Sequence, residues 1–271
     1  MEAKLNVKII GHTYNPELVI ATAGKLCYSP SNIEDLMEKQ TPESIEKFVK
    51  MLVSMGHESP LEHTSFNFAI EGVSRTLTHQ LVRHRIASYS QQSQRYVNLD
   101  KTFSYIVPTR IGNVEDIKQR FEQAMNDSFE HYVDISRALL EHFIYNFLVE
   151  EKGLYSKDTS MEVLENVMKE EYKKQYNAFT KMAIEDARAV LPNACETKII
   201  CTMNLRTLIN FCHHRCCRRA QDEIFNLAWE MVKEVEKISP LLAKCLGASC
   251  QFGPCPEGAM CCGKPFEKKI M

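Results

Sequence analysis

Residues 83–96 read Arg83-His84-Arg85-Ile86-Ala87-Ser88-Tyr89-Ser90-Gln91-Gln92-Ser93-Gln94-Arg95-Tyr96, and they restrict the fold more than any other stretch. Basic side chains stand in a row, and a run of Ser and Gln then leads to a second Arg and a Tyr. A helix or strand buried on all sides cannot hold so many polar groups without partners. The stretch therefore reads as a loop leaving the end of a helix. Arg offers a forked, permanent charge that suits phosphate and carboxylate oxygens. Ser hydroxyls and loop amides can complete an anion cradle. A solvated basic turn is the plain alternative, and the Ser/Gln run with the following Arg95-Tyr96 weighs against it.

The remaining composition narrows the class. A chain of 271 residues with 44% hydrophobic and 25% charged residues is long enough for one sizeable core or two small domains, and is of ordinary globular character. Its 33 basic and 35 acidic residues nearly cancel, which argues against a general affinity for nucleic acid or anionic membrane. The clustered positive charge suits small anionic ligands better. The opening residues lack the apolar core of a signal peptide, and no run of about 18 apolar residues exists to form a transmembrane helix. The eleven cysteines are an odd number and are expected to be reduced thiols in a cytoplasmic protein.

In chain order, Leu5–Ile10 alternates as an opening strand. Pro16–Cys27 has a helical period with Val19, Ala23 and Leu26 on one face. Ser31 to Glu34 has capping-box spacing, and Thr41-Pro42 starts a helix whose apolar face is Ile45, Phe48, Val49 and Leu52. His57, Glu58, Glu62 and His63 invite a metal reading, but the two His lie six apart and lack helical metal-ligand geometry, so no metal is expected. Thr64–Ile70 alternates with Phe66, Phe68 and Ile70 on one side. Val73–Val82 reads as the helix that delivers Arg83, with Gln80 one turn earlier. Phe103–Val107 reads as a short strand. Residues 113–152 and 159–190 read as two long helices forming an antiparallel hairpin, with Ile117 to Leu148 marking the buried side of the first and Thr159 capping the second. Thr197–Met203 is a β-branched strand, and Asn204 is a good N-cap for a helix that continues through Arg218 to Ile224 and beyond. The tail holds Cys245, Cys250, Cys255, Cys261 and Cys262 among Gly and Pro, with spacings unlike common zinc knuckles.

Arg83-His84-Arg85 followed after seven residues by Ser93 resembles the signature of flavin-dependent thymidylate synthases, and Arg95 and Tyr96 extend the likeness. Residues 56–63 resemble that family's His-Glu-x-Pro-x-Glu-His element. Ala187-Arg188 before Leu191-Pro192 resembles its nucleotide-binding element, and Arg215 to Ile224 matches its Arg-x-x-x-x-Ala-Gln-x-Glu-Ile pattern. The resemblance implies an α+β subunit: a central, mostly antiparallel sheet with helices around it and a long helical hairpin. It implies one domain over residues 1–245 with a helical extension around 113–180, and a separate Cys/Gly/Pro-rich tail over 246–271. It implies a homotetramer with active sites at subunit junctions, and FAD as cofactor. The implied reaction methylates dUMP to dTMP, with carbon from 5,10-methylenetetrahydrofolate and hydride from NADPH through FAD.

The resemblance also distributes roles. Gln80, Leu81, Val82, Arg83, Gln91, Gln92, Ser93, Gln94, Arg95, Arg188 and Arg215 fall to dUMP. Ser59, Arg83, His84, Arg85, Gln91, Asn204, Leu205, Arg206 and Asn210 fall to FAD. His57 and Tyr96 neighbour the folate or nicotinamide. Gln91 stands where many relatives have a Glu, keeping the hydrogen bonds without the charge. Arg215 is the catalytic candidate, because a cation at the carbonyl edge of uracil stabilises the ionised ring. Ser93 has no evident general base and is assigned to binding. Two other classes stay open: a non-catalytic flavin or nucleotide sensor, and a nucleic-acid binder whose affinity falls steeply with salt.

Overall fold

The computed structural model describes residues 1–95 and 103–269. The chain parts into two compact units, one of residues 4–91 with 197–271 and the other of residues 1–3 with 92–196. The strands are β1 (Asn6–His12), β2 (Ser65–Ser74), β3 (Ala87–Gln91) and β4 (Glu196–Asn204). The helices are α1 (Pro16–Leu26), α2 (Ile33–Glu38), α3 (Pro42–Ser54), α4 (Arg75–Leu81), α5 (Thr109–Gly112), α6 (Glu115–Tyr145), α7 (Met161–Glu170), α8 (Lys173–Ala187), α9 (Leu205–Arg215), α10 (Asp222–Ile238) and α11 (Pro240–Ala243).

The first unit is built on a sheet of order β1-β2-β4-β3. β1 and β2 run antiparallel, with Val7 opposite Ile70, as do β3 and β4, with Ala87 opposite Met203. Asn67 reaches Thr202 at 2.9 Å and Glu71 reaches Lys198 at 3.4 Å, so β2 and β4 are antiparallel as well. Alternation explains the buried face: Phe66, Phe68, Ile70, Cys201 and Met203 point into one core with Leu205, Leu208, Phe211 and the inner side of α10. Gly72, at φ +69, lies where an added Cβ would meet the Lys4 carbonyl oxygen at 1.9 Å, a close approach that only glycine allows.

Several sequence expectations change. The Ser/Gln stretch is not wholly a loop: Ala87–Gln91 is a strand, which its exposed edge position permits despite its polarity. β2 extends to Ser74, so α4 starts at Arg75 rather than Val73. α1 buries Ile20, Ala21 and Gly24, while Leu26 is exposed, so its buried stripe is rotated from the expected one. α2 is capped by Asn32, whose side chain accepts the Asp35 amide at 2.8 Å, and not by Ser31. α9 stops at Arg215, and α10 begins afresh with Gln221 as its cap.

In the second unit α6 runs on into a π-helical turn, Asn146–Glu151. Phe143 packs on Phe179 and Phe147 on Tyr172, while Tyr132, earlier in α6, shares a cluster with Ala187, later in α8. The two helices are therefore antiparallel, the hairpin expected from the sequence. Its second arm is broken between α7 and α8. Ser160 precedes α7, but neither it nor Thr159 makes a side-chain cap. Ile117 is exposed rather than buried, and Phe103–Val107 forms only isolated bridges at Tyr105.

Candidate functional site

The Ser74 hydroxyl caps α4 by accepting the Leu77 amide at 3.0 Å. Glu223 from α10 holds that cap in place, accepting from the Ser74 amide at 2.6 Å and hydroxyl at 2.7 Å, and burial raises its carboxyl pKa. After α4 the chain turns through residues 82–86 into β3. The Tyr89 hydroxyl clasps this turn, its single proton shared between the carbonyls of Leu81 and His84, each at 2.8 Å. Arg83 and Arg85 are exposed, and His84 between them is buried. The Leu81 side chain is fully buried, so only its backbone could meet a ligand. Gln91 turns inward, donating to the Thr78 hydroxyl at 2.9 Å and the Thr197 hydroxyl at 3.3 Å.

The end of α9 comes to this turn. Arg215 donates from Nε to His84 Nε2 at 2.9 Å. Burial first, then the Arg215 and His214 charges, lower the His84 pKa to about 4, so its ring is neutral and accepts the bond. Burial also lowers the Arg215 pKa, but an Arg keeps its charge at ordinary pH. The Nη nitrogens of Arg215 make no other hydrogen bond among the described residues. His84 and Arg215 face a cleft of 390 Å³ whose other walls are Cys217 to Ala220 and the tail residues Cys255, Cys261, Cys262 and Phe266.

A second cleft, also of 390 Å³, lies along α9 and is lined by Glu58, Glu62, Arg85, Ile86, Asn204, Arg206 and Asn210. Asn204 caps α9, its side-chain oxygen accepting the Thr207 amide at 2.8 Å. Arg206 pairs with both Glu58, at 2.9 Å, and Glu62. Leu205 is buried and Ile86 is 86% exposed. His213 lines both clefts, and burial lowers its pKa. Arg215 lies five positions beyond Asn210, a turn of about 500° at ~100° per residue, so their side chains diverge by roughly 140°. That divergence is realised: Asn210 opens into one cleft and Arg215 into the other. Ser59 and His57 are exposed but line neither cleft.

In the second unit, residues far apart in sequence converge on Glu185. Its carboxylate takes Arg95 at 3.3 Å and its carbonyl takes Arg188 Nε at 3.0 Å, while Ser93 Oγ accepts the Arg95 amide at 3.2 Å. Gln94 bonds to Cys195 at 3.5 Å, Gln92 is exposed, and Tyr96 lies outside the described residues. Sequence reasoning passed over Glu185, whose place six residues ahead of Leu191-Pro192 gave no sign of its two partners. It also treated the tail as separate from the site, although tail residues wall the Arg215 cleft.

Comparison with known proteins gives one result. The family model Thy1, described as thymidylate synthase complementing protein, matches residues 8–241. A flavin-dependent thymidylate synthase of Clostridium tetani is 51% identical over 265 residues, covering 98% of this chain and 96% of that protein. One from Geobacter sulfurreducens is 41% identical over 98% of this chain and 97% of its own length. One from Pyrococcus furiosus is 35% identical, over 93% and 90% respectively.

Proposed function

The chain belongs to the flavin-dependent thymidylate synthase family, and from that premise we propose that it methylates dUMP to dTMP. Carbon comes from 5,10-methylenetetrahydrofolate and hydride from NADPH through FAD, with release of tetrahydrofolate. The observation that carries this reading is the contact between Arg215 and a neutral His84 at the mouth of a cleft.

FAD brings phosphates, ring carbonyls and flat apolar surface. The cleft along α9 suits such a group: Arg85, Arg206 and Asn210 are donors, Ile86 is an exposed apolar side chain, and the volume falls in the usual ligand range. Arg85, Arg206 and Asn210 would hold FAD there by their side chains. Asn204 and Leu205 would contribute through the backbone at the start of α9, since one side chain is a cap and the other is buried. Ser59 and His84 belong to the same assignment although neither lines this cleft, His84 facing the Arg215 cleft instead. When bound, FAD supplies hydride transfer, leaving binding, orientation and polarisation to the protein.

Arg215 is the group for the pyrimidine. His84 fixes its Nε, which aims the remaining Nη donors without neutralising the charge. A carboxylate in that place would cancel part of the field that a uracil carbonyl edge needs. Arg83 and Gln80 assist on the same nucleotide. Gln91 is held by two threonine hydroxyls as a hydrogen-bonding group with no titrating proton. Ser93, Arg95 and Arg188 form an anion-binding set assigned to a phosphate; Gln92 and Gln94 accompany it. His57 and Tyr96 keep their assignment to folate or nicotinamide. The reading includes assembly as a homotetramer. Among the described residues no helix is long and apolar enough to cross a membrane.

The test is an absorbance spectrum. The purified protein is expected to be yellow, and its flavin bands to bleach when NADPH is added anaerobically, faster with dUMP present. A colourless protein that cannot be reconstituted with FAD overturns the reading. Bound FAD without turnover would favour a sensor.

A further inference from the structure

The wall of the Arg215 cleft opposite α9 comes from the tail. Arg218 donates to the Lys264 carbonyl at 3.1 Å and stacks 4.1 Å above the Phe266 ring. Arg219 donates to the Met260 carbonyl and pairs with Glu257 at 3.8 Å. These arginines lie just beyond α9 and fasten the tail segment of residues 257–266 beside it. Within this segment a short helical turn, Gly258–Met260, reverses the chain, with Gly258 in the left-handed region at φ 51. The turn is closed by bonds from the Met260 amide to the Glu257 carbonyl at 2.8 Å and from the Cys261 amide to the Gly258 carbonyl at 3.1 Å, and it sets Cys255 and Cys261 as neighbours on the same wall of the cleft. All eleven cysteines are unbridged thiols. Among the described residues no group of three or more His, Cys, Asp or Glu is arranged to hold a metal ion, so this pair faces no ready ligand sphere.

The geometry points to Cys255 and Cys261 as a redox-active dithiol that small-molecule disulfides convert to an internal disulfide. The two sulfurs differ in the way an attacking and a resolving thiol should. The Gly263 amide, then the Cys255 thiol, lower the pKa of Cys261. At Cys255 the Glu257 amide also lowers it, but the Cys261 contact and the remaining neighbours outweigh that bond and the net shift is upward. The thiolate is the nucleophile in exchange, so Cys261 attacks first. Its sulfur bonds to one sulfur of the reagent and expels the other half as a thiolate, which takes a proton. Cys255 then attacks the Cys261 sulfur, gives up its proton, and expels the second half as a thiol. The protein loses two hydrogens and the reagent gains them. Cys201, Cys212 and Cys245 are buried with raised pKa values, so they do not compete. The bond would fix one wall of the Arg215 cleft.

The test treats the full chain, as purified and reduced, with uncharged bis(2-hydroxyethyl) disulfide and maps its peptides by mass. The expected result is a new cross-link, Cys255 to Cys261, with no reagent retained on either of those two residues and full reversal by dithiothreitol, while exposed Cys27 serves as the internal control that keeps the reagent as an adduct. Cys255→Ser should instead keep the reagent as a stable adduct on Cys261. Cys261→Ser should lose both the cross-link and most of the reactivity at this loop. Stable adducts on both wild-type residues, a cross-link to Cys217 or Cys262 in preference, or stoichiometric zinc released on modification would each overturn the assignment.

Discussion

The two clefts along α9 have equal volume and share His213, yet they hold their arginines in opposite ways. In one, Arg206 is paired with two half-exposed carboxylates. Exposed pairs of this kind contribute about 0–1 kcal/mol, so Arg206 can exchange partners at little cost. In the other, Arg215 is partly withdrawn from water and bonded to a neutral imidazole. Its charge is uncompensated by any carboxylate in that bond. A cation already neutralised suits a ligand held in place, whereas an uncompensated one suits a group on which charge develops.

The largest expected effect tests the second half of that contrast. A charge-assisted hydrogen bond contributes roughly 1.5–3 kcal/mol. If it acts mainly in the transition state, Arg215→Ala loses about one to two decades in turnover, with FAD still bound. Arg215→Lys recovers only part, since a point charge cannot replace the fork. Near-normal turnover in Arg215→Ala, with FAD and dUMP both bound, removes Arg215 from the mechanism.

The neutral state of His84 sharpens the contrast by pH. Its folded pKa of about 4 lies below the ordinary 6.5. Between those values the unfolded chain binds a proton that the folded chain does not, so stability present above 6.5 is lost as pH falls toward 4. Denaturant unfolding of the wild type should therefore weaken more steeply across this window than that of His84→Gln. Parallel pH profiles would show that His84 is protonated in the fold, and the two clefts would no longer differ as described.

Much of this arrangement is legible in the sequence, for identifiable reasons. Phe66, Phe68 and Ile70 alternate, and Ile224 to Val235 keep a helical period, so β2 and α10 follow from one-dimensional pattern. Asn204 and Thr41 carry caps that mark helix starts. The family resemblance, made on Arg83 to Tyr96 and Arg215 to Ile224, is borne out by the match over residues 8–241. What escaped depends on contacts between distant residues. Ala87–Gln91 becomes a strand because β4 offers it an edge, which its own polar composition does not announce. Glu185 joins Arg95 and Arg188 across about ninety residues. Arg218 and Arg219 bind the tail to α9's end, so a segment that reads as an appendage becomes a wall.

A smaller effect tests the paired cleft. Replacing both Glu58 and Glu62 by Gln frees Arg206 from its carboxylates. Stability should change by less than about 1 kcal/mol, because both pairs are exposed. FAD retention, followed by fluorescence of released flavin, should strengthen by up to about fivefold, the same energy expressed as binding. A loss of tenfold or more would mean that the carboxylates themselves contact the cofactor.

The smallest effect belongs to the tail. Cys255 lines the Arg215 cleft, and the dipeptide Pro254-Cys255 invites comparison with thymidylate synthases that attack the pyrimidine through a cysteine beside a proline. Such a nucleophile needs a depressed pKa or an adjacent base. Here the net shift of Cys255 is upward, and its thiol contact is another thiol, Cys261. The loop is also held by backbone carbonyl bonds from Arg218 and Arg219, which a serine at 255 leaves in place. Cys255→Ser should accordingly keep turnover within about twofold of wild type, a difference of under half a kcal/mol in the barrier. Measured under reducing conditions, this separates chemistry from the thiol exchange of the loop. Loss of turnover with flavin still bound would make the cleft the site of a thiol mechanism, and Arg215 its neighbour rather than its centre.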